Sequence, residues 1–267
     1  MSRIKTRFRQ LFKKKEKALI AYIMVGYPNQ YSTLPIVRGL ARGGADIIEL
    51  GFPFSDPLAD GPIIQNASTI SLNKGITRNK FLDIVKKIRK ETEAPLVLMT
   101  YTNILYKRGF SRFISEAKKA GIDGIILPDM AIEGSKAYIA AARKNKVDTI
   151  FLVSPNTSNK RLREISNLTT GFLYLVSVYG TTGVRNKIQR YTIDAIKNTK
   201  KIVGKKIPVG LGFGVSTPKD VKSYVAAGTD AIIVGSAFLR LIEETPEKIM
   251  EKKVSSFARK LKLATKA

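Results

Sequence analysis

The stretch Gly44-Ala-Asp-Ile-Ile-Glu-Leu-Gly51 recurs in outline as Gly121-Ile-Asp-Gly-Ile-Ile-Leu-Pro128 and as Gly228-Thr-Asp-Ala-Ile-Ile-Val-Gly235. All three copies have one form: a helix-ending glycine, a short turn carrying Asp, then an apolar strand without the alternation of a half-exposed sheet. Outward from these copies, apolar runs of strand length alternate with amphipathic segments of helix length along the whole chain. The predicted strands are Ala18–Val25, Asp46–Leu50, Pro95–Thr100, Gly124–Leu127, Thr149–Val153, Phe172–Val176, Ile207–Gly210 and Ala231–Val234. Segments such as Leu34–Arg42 and Phe110–Ala120 carry the helical period between them. Eight strands, each followed by a helix, call for a parallel sheet covered on both faces, and closing it into a barrel leaves no edge.

The expected fold is therefore α/β, a single (β/α)8 TIM barrel occupying residues 1–267 as one catalytic domain. A short extra helix, Ile4–Phe12, is expected before the first strand. The 267 residues match the roughly 250 typical of such barrels. No long Pro/Gly/Ser linker divides the chain.

Composition removes whole classes of chemistry. The chain has no Cys and no His, so disulfides, thiol nucleophiles, imidazole bases and ordinary zinc sites lack their ingredients. Acid–base work falls to carboxylates, tyrosines and lysines. No apolar run approaches the ~20 residues that span a bilayer, and the basic N-terminus lacks the apolar stretch of a secretory signal, so a cytoplasmic location is expected. The net charge of +26 would suit a polyanion binder. Eight basic side chains fall within residues 1–17 and seven within 248–267, while the rest are scattered through helical segments as solvated faces would be. Neither an RNA-recognition signature nor a helix-turn-helix pattern accompanies them.

Laid over one another, the three copies put Ile126 and Ile233 where the first has Glu49. A carboxylate near the C-terminal end of a buried barrel strand has two readings. It is satisfied by a neighbouring lysine, or it is catalytic, since that end of the strands is where barrel enzymes place their reacting groups. Burial would raise its pKa and suit it to donating a proton near neutral pH. Position favours catalysis.

Immediately downstream lies Gly51-Phe-Pro-Phe-Ser-Asp-Pro-Leu-Ala-Asp-Gly-Pro-Ile-Ile-Gln65, which with Glu49-Leu50 closely resembles the signature of tryptophan synthase alpha chains. Further segments resemble the family in the same order: Ala21–Pro28, Met99–Asn103, Gly124–Asp129, Tyr174–Gly183, Gly212–Ser216 and Val234–Ala237. The resemblance implies cleavage of indole-3-glycerol phosphate to indole and glyceraldehyde 3-phosphate, a carbon–carbon lyase reaction without cofactor. It implies Glu49 as general acid and base, Asp60 as acceptor of the indole N–H, and Tyr174 as a third catalytic residue in the same cavity. Read alone, Asp60 in Ala-Asp-Gly is first a turn former, and Tyr174 is equally core packing.

Substrate binding is assigned to Tyr22, Thr182, Gly183, Phe213, Gly214, Gly235 and Ser236. The last three, with Phe213, follow strands seven and eight, where barrels commonly hold phosphate with backbone N–H groups and a helix N-terminus. Gly183, with Thr182 and Arg185, is implied to close over the phosphate from loop six. Leu98, Thr100 and Leu127 are further candidates for the indole slot. The resemblance also implies a partner, the pyridoxal-phosphate-dependent tryptophan synthase beta subunit, in an alpha2beta2 complex; Pro53–Pro57, stiffened by its prolines and bearing an aromatic, is the expected docking element. Where the family has a Leu-Pro-Pro-like stretch after Pro128-Asp129, this chain reads Met130-Ala-Ile-Glu133.

Overall fold

The computed structural model describes residues 1–177, 185–212 and 214–266, and for residues 185–189 the backbone alone. Its strands are β1 (Ala18–Met24), β2 (Ile47–Gly51), β3 (Leu96–Met99), β4 (Gly124–Ile126), β5 (Asp148–Ile150), β6 (Leu152–Val153), β7 (Leu173–Val176), β8 (Val209–Gly212) and β9 (Ala231–Val234). They form one sheet in the order β5-β4-β3-β2-β1-β9-β8-β7-β6, every paired neighbour parallel. The two ends of that order, β5 and β6, are separated in the chain only by Phe151, whose C=O accepts the Tyr174 N–H at 3.0 Å. They are one stave, so the sheet closes on itself and the architecture is a (β/α)8 barrel.

Most expected strands fall within a residue or two of their places, and the helix Phe110–Ala120 has the bounds that its period predicts. The strand expected over Ile207–Gly210 instead runs Val209–Gly212. Pro208 has no N–H to give a ladder, which postpones the strand to the first residue that does. The helix Arg3–Lys13 precedes β1 and buries Ile4, Phe8 and Leu11. Gly124 makes room for it, since a Cβ there would stand 2.8 Å from Ile4 Cδ1. No helix among the described residues is long and apolar enough to cross a membrane.

The repeat explains how three strand pairs are locked at the N-terminal mouth of the barrel. Gly44, Gly121 and Gly228 all take positive φ (89°, 115° and 103°), reversing the chain out of each helix. The Asp two residues on then holds the first or second residue of the neighbouring strand through both its N–H and its C=O. Leu19 donates its N–H to Asp46 Oδ2 at 2.7 Å, and the Asp46 N–H donates to the Leu19 carbonyl at 2.8 Å. Leu96 with Asp123 (3.1 and 2.8 Å) and Val209 with Asp230 (2.9 and 2.8 Å) repeat the exchange. Every one of these carboxylates is neutralised: Asp46 by Arg7 and Lys262 (2.7 and 2.9 Å), Asp123 by Arg89 and Arg3 (2.8 and 3.3 Å), Asp230 by Lys200 and Lys17 (2.6 and 3.5 Å).

Several cations of the two basic termini are thus structural. Asp46→Ala should strand the buried Leu19 N–H and take from Arg7 its carboxylate, destabilising the fold by about 3 kcal/mol. Urea unfolding of parent and variant checks this, and a midpoint unchanged by the substitution would refute the clamp.

Candidate active site

Parallel register sets Tyr22 beside Glu49 and Glu49 beside Val97 across β1, β2 and β3. With Glu49 facing the barrel axis, alternation turns Gly51 and, on β3, Met99 the same way. The three equivalent positions of the repeat, Glu49, Ile126 and Ile233, all line cavities at the C-terminal mouth. The larger cavity, about 380 Å³, holds Tyr22, Glu49, Met99 and Tyr174 together with Gly214, Ser216, Gly235 and Ser236. A second, of about 220 Å³, shares Met99 and Tyr174 with it and is walled by Ala59, Ile126, Leu152 and Val176. The site therefore has one apolar end and one glycine- and serine-rich end. Gly235 and Ser236 stand at the start of the helix Ser236–Glu243, where unpaired backbone N–H groups favour an anion.

Glu49 is 1% exposed, and neither carboxylate oxygen has a hydrogen-bond partner among the described residues. The lysine pairing that the sequence left open is not present among the described residues. Burial, reinforced by the nearby charge of Asp60, pushes its pKa up to about 8, so it carries a proton at neutral pH.

Asp60 sits on the loop after β2. Its Oδ2 accepts a hydrogen bond from the Tyr101 hydroxyl at 3.0 Å, and its Oδ1 is buried without a partner among the described residues. Burial raises its pKa to about 6, with the Tyr101 bond pulling the other way, so it is mostly ionised at pH 7. The turn Pro57–Asp60 is closed by backbone, Asp60 N–H to the Pro57 carbonyl at 3.0 Å, which leaves the carboxylate free of that task.

Tyr101 is a residue that sequence reasoning did not single out. Its hydroxyl donates to Asp60 and accepts the Ala59 N–H at 3.1 Å, and its ring stacks on Phe54 at 5.0 Å. It fixes the Asp60 loop over the barrel mouth. Its place in Met99–Asn103 was the available signal, but no residue-type pattern marks such a contact in advance.

The two cavity tyrosines are seated alike. A Cβ on Gly51 would lie 2.3 Å from the Tyr22 hydroxyl oxygen, and one on Gly212 would lie 2.2 Å from that of Tyr174. Each phenol crosses the next strand at a glycine two residues beyond its register partner, Glu49 for Tyr22 and Gly210 for Tyr174. Gly212 is thus the last residue of β8 and the seat of Tyr174, while Gly214, with φ of +72°, lines the cavity beyond it.

Of the expected slot residues, Tyr22 lines the cavity, whereas Leu98, Thr100 and Leu127 do not, and Met99 and Ile126 take their places. The period-2 alternation of a strand makes a one-residue error a change of face. Thr182, Gly183 and Phe213 lie outside the described residues, as does the side chain of Arg185. Among the described residues no group of three or more Asp and Glu is placed to hold a metal ion.

A family model described as tryptophan synthase alpha chain matches residues 8–266. A tryptophan synthase alpha chain from Geotalea uraniireducens is 41% identical, over 100% of this chain and 99% of that one. Among solved structures, tryptophan synthase subunit alpha from Legionella pneumophila superposes with a TM-score of 0.90 at 31% identity, covering 99% of this chain and 98% of that one. The tryptophan synthase a2b2 complex from Pyrococcus furiosus gives a TM-score of 0.86 at 38% identity, covering 92% and 98%. With the match running over nearly its whole length, the chain belongs to the tryptophan synthase alpha chain family.

Proposed function

We propose that the protein is a carbon–carbon lyase that cleaves indole-3-glycerol phosphate into indole and glyceraldehyde 3-phosphate, as the alpha subunit of tryptophan synthase. One observation carries the reading: a buried Glu49, with neither oxygen paired among the described residues and its pKa pushed up to about 8, near Asp60 with its pKa raised to about 6, in a cavity with an apolar end and a glycine- and serine-rich end. The indole ring suits the apolar walls Ile126, Leu152 and Val176. The phosphate suits the backbone N–H groups at Gly214, Gly235 and Ser236.

The chemistry follows from the protonation states. Glu49 gives its proton to indole C3, and the ring becomes a cation whose charge reaches N–H; ionised Asp60 accepts that N–H and stabilises the cation. Glu49, now a carboxylate, removes the proton of the hydroxyl on the carbon attached to the ring. That carbon becomes the aldehyde, the bond to C3 breaks, and its electron pair returns to the ring. Glu49 ends protonated, as it began. Tyr22 and Tyr174, laid over their glycines, confine the glycerol chain between the two ends. The test is to incubate the purified protein with indole-3-glycerol phosphate, no cofactor added, and measure indole and glyceraldehyde 3-phosphate. Equal amounts of both support the reading; neither product, with substrate intact, refutes it.

The Pyrococcus furiosus neighbour is an a2b2 complex, and the same assembly with a pyridoxal-phosphate-dependent beta subunit is proposed here. In the loop after β2, Ser55 and Asp56 are exposed, and Leu58 is an apolar side chain 93% exposed. Phe54 is turned inward onto Tyr101, so Leu58 is the apolar group that the loop offers. Docking here would reach Asp60 through two residues of chain and couple the sites. Mixed with its own organism's beta subunit, the chain should elute as a complex on size exclusion and release indole faster. Asp56→Ala with Pro57→Ala should weaken both, and unchanged elution at micromolar concentration would remove this loop from the interface.

A further inference from the structure

The mouth of the barrel opposite the active site holds a further cavity, of about 330 Å³, that the lyase reading leaves unused. It opens between the helix Arg3–Lys13 and the chain entering β8, close to Asp230 before β9. Its size falls in the lower part of the range of small-molecule sites, roughly 300–1,000 Å³. One wall is apolar and aromatic: Phe8, Leu11 and Phe12 from the helix, facing Ile207 and Pro208. Phe8 and Leu11 are core residues, but Phe12 is 71% exposed although it belongs to the same wall. A large aromatic left on the rim of a cavity is surface without a partner.

The charged groups around it are not equivalent. Lys17 and Lys200 are occupied by Asp230, at 3.5 and 2.6 Å, and Glu16 is occupied by Lys262 and Lys266, both at 3.2 Å. Each of these carboxylates holds two lysines. Arg9 and Lys205 remain on the rim with no ion pair or side-chain hydrogen bond among the described residues. The cavity thus presents an apolar wall with two phenylalanines and two uncommitted cations, contributed by elements far apart in the chain.

We propose that this cavity is a binding site for a small organic anion that has an aromatic body and a single carboxylate or phosphate head. The ring would lie against Phe8, Phe12 and Pro208, and the head would reach Arg9 and Lys205. An aromatic body fits better than an acyl chain because two of the five apolar wall residues, Phe8 and Phe12, are aromatic, and rings favour stacked or edge-on partners. Arg9 offers the planar fork that carboxylates and phosphates accept in pairs of bonds. The site stands apart from the catalytic one, and its occupancy does not depend on what reaction the other mouth performs.

Isothermal titration of the full chain with 1-naphthoate should show saturable binding at one site. Arg9→Gln with Lys205→Gln should weaken it about tenfold, the amount expected of two exposed charge contacts. Phe12→Ala should weaken it as well. Glu49→Gln, at the other mouth, should leave the affinity unchanged, and the Arg9/Lys205 variant should keep its thermal unfolding midpoint and its turnover of indole-3-glycerol phosphate. Uncharged 1-naphthol and aliphatic octanoate should both bind more weakly than 1-naphthoate. The proposal is overturned by the absence of saturable heat, by equal affinity in the Arg9/Lys205 variant, by loss of binding in Glu49→Gln, or by 1-naphthol or octanoate binding as tightly.

Discussion

Glu49→Gln is expected to abolish indole release, lowering kcat by at least about 10²-fold, while leaving a protein that is more stable than the parent at neutral pH. Gln fills the same space but can neither give a proton to C3 nor take one from the hydroxyl. The stability effect follows from the raised pKa. Because the folded value, about 8, lies above the unfolded reference of 4.5, protonated Glu49 gives its full contribution below about pH 4.5, and that contribution drains away as pH climbs toward about 8. Gln has no proton to lose. The variant should therefore gain on the parent progressively from pH 5 to 8, by on the order of 2–3 kcal/mol at pH 7. Thermal unfolding across that interval measures it. A variant that unfolds earlier than the parent throughout would mean that Glu49 is a structural ion, and near-normal turnover would mean that it is not the catalyst.

Gly235→Asp should raise KM for indole-3-glycerol phosphate about 10²-fold, because a carboxylate would stand where backbone N–H groups are to meet a phosphate, and opposed like charges cost several kcal/mol. The backbone of Gly235, at φ −118° and ψ −75°, does not require glycine, but a Cβ would approach Tyr22 Cδ1 to 3.2 Å. Gly235→Ala supplies that contact without charge. Steady-state kinetics of both variants separate the two effects: a large rise in KM for Asp and a small one for Ala supports an anion site, whereas equal changes would mean that crowding of Tyr22 is responsible.

The repeat made the barrel legible, since its glycine, Asp and apolar strand state a joint that packing then reproduces three times. Glu49 was legible for the same reason: two of the three copies carry Ile where it stands, so the sequence itself marks the exception. Asp60 needed the family resemblance, because Ala-Asp-Gly says only turn. The errors lie where the sequence is silent about facing. Leu98 and Thr100 are as apolar or as near the strand end as Met99, and only the register with Glu49 and Gly51 decides which of them looks inward. Tyr101 was invisible because its function depends on a loop that closes over it from elsewhere in the chain. The double hydrogen-bonding of Leu19, Leu96 and Val209 by Asp was hidden because turn chemistry already accounts for Asp at those places.

The pH dependence of kcat/KM for indole release tests the account most directly, because it reads the two carboxylates whose different environments divide the work between them. Activity requires Asp60 ionised and Glu49 protonated, so the profile should be a bell, rising through about pH 6 and falling through about pH 8. Those values belong to the pair as it titrates. Asp60→Asn should lower the whole curve and remove its acid limb. A parent profile that is flat from pH 5 to 9, or that keeps climbing above pH 8, would contradict a protonated Glu49 as the acid that begins the reaction.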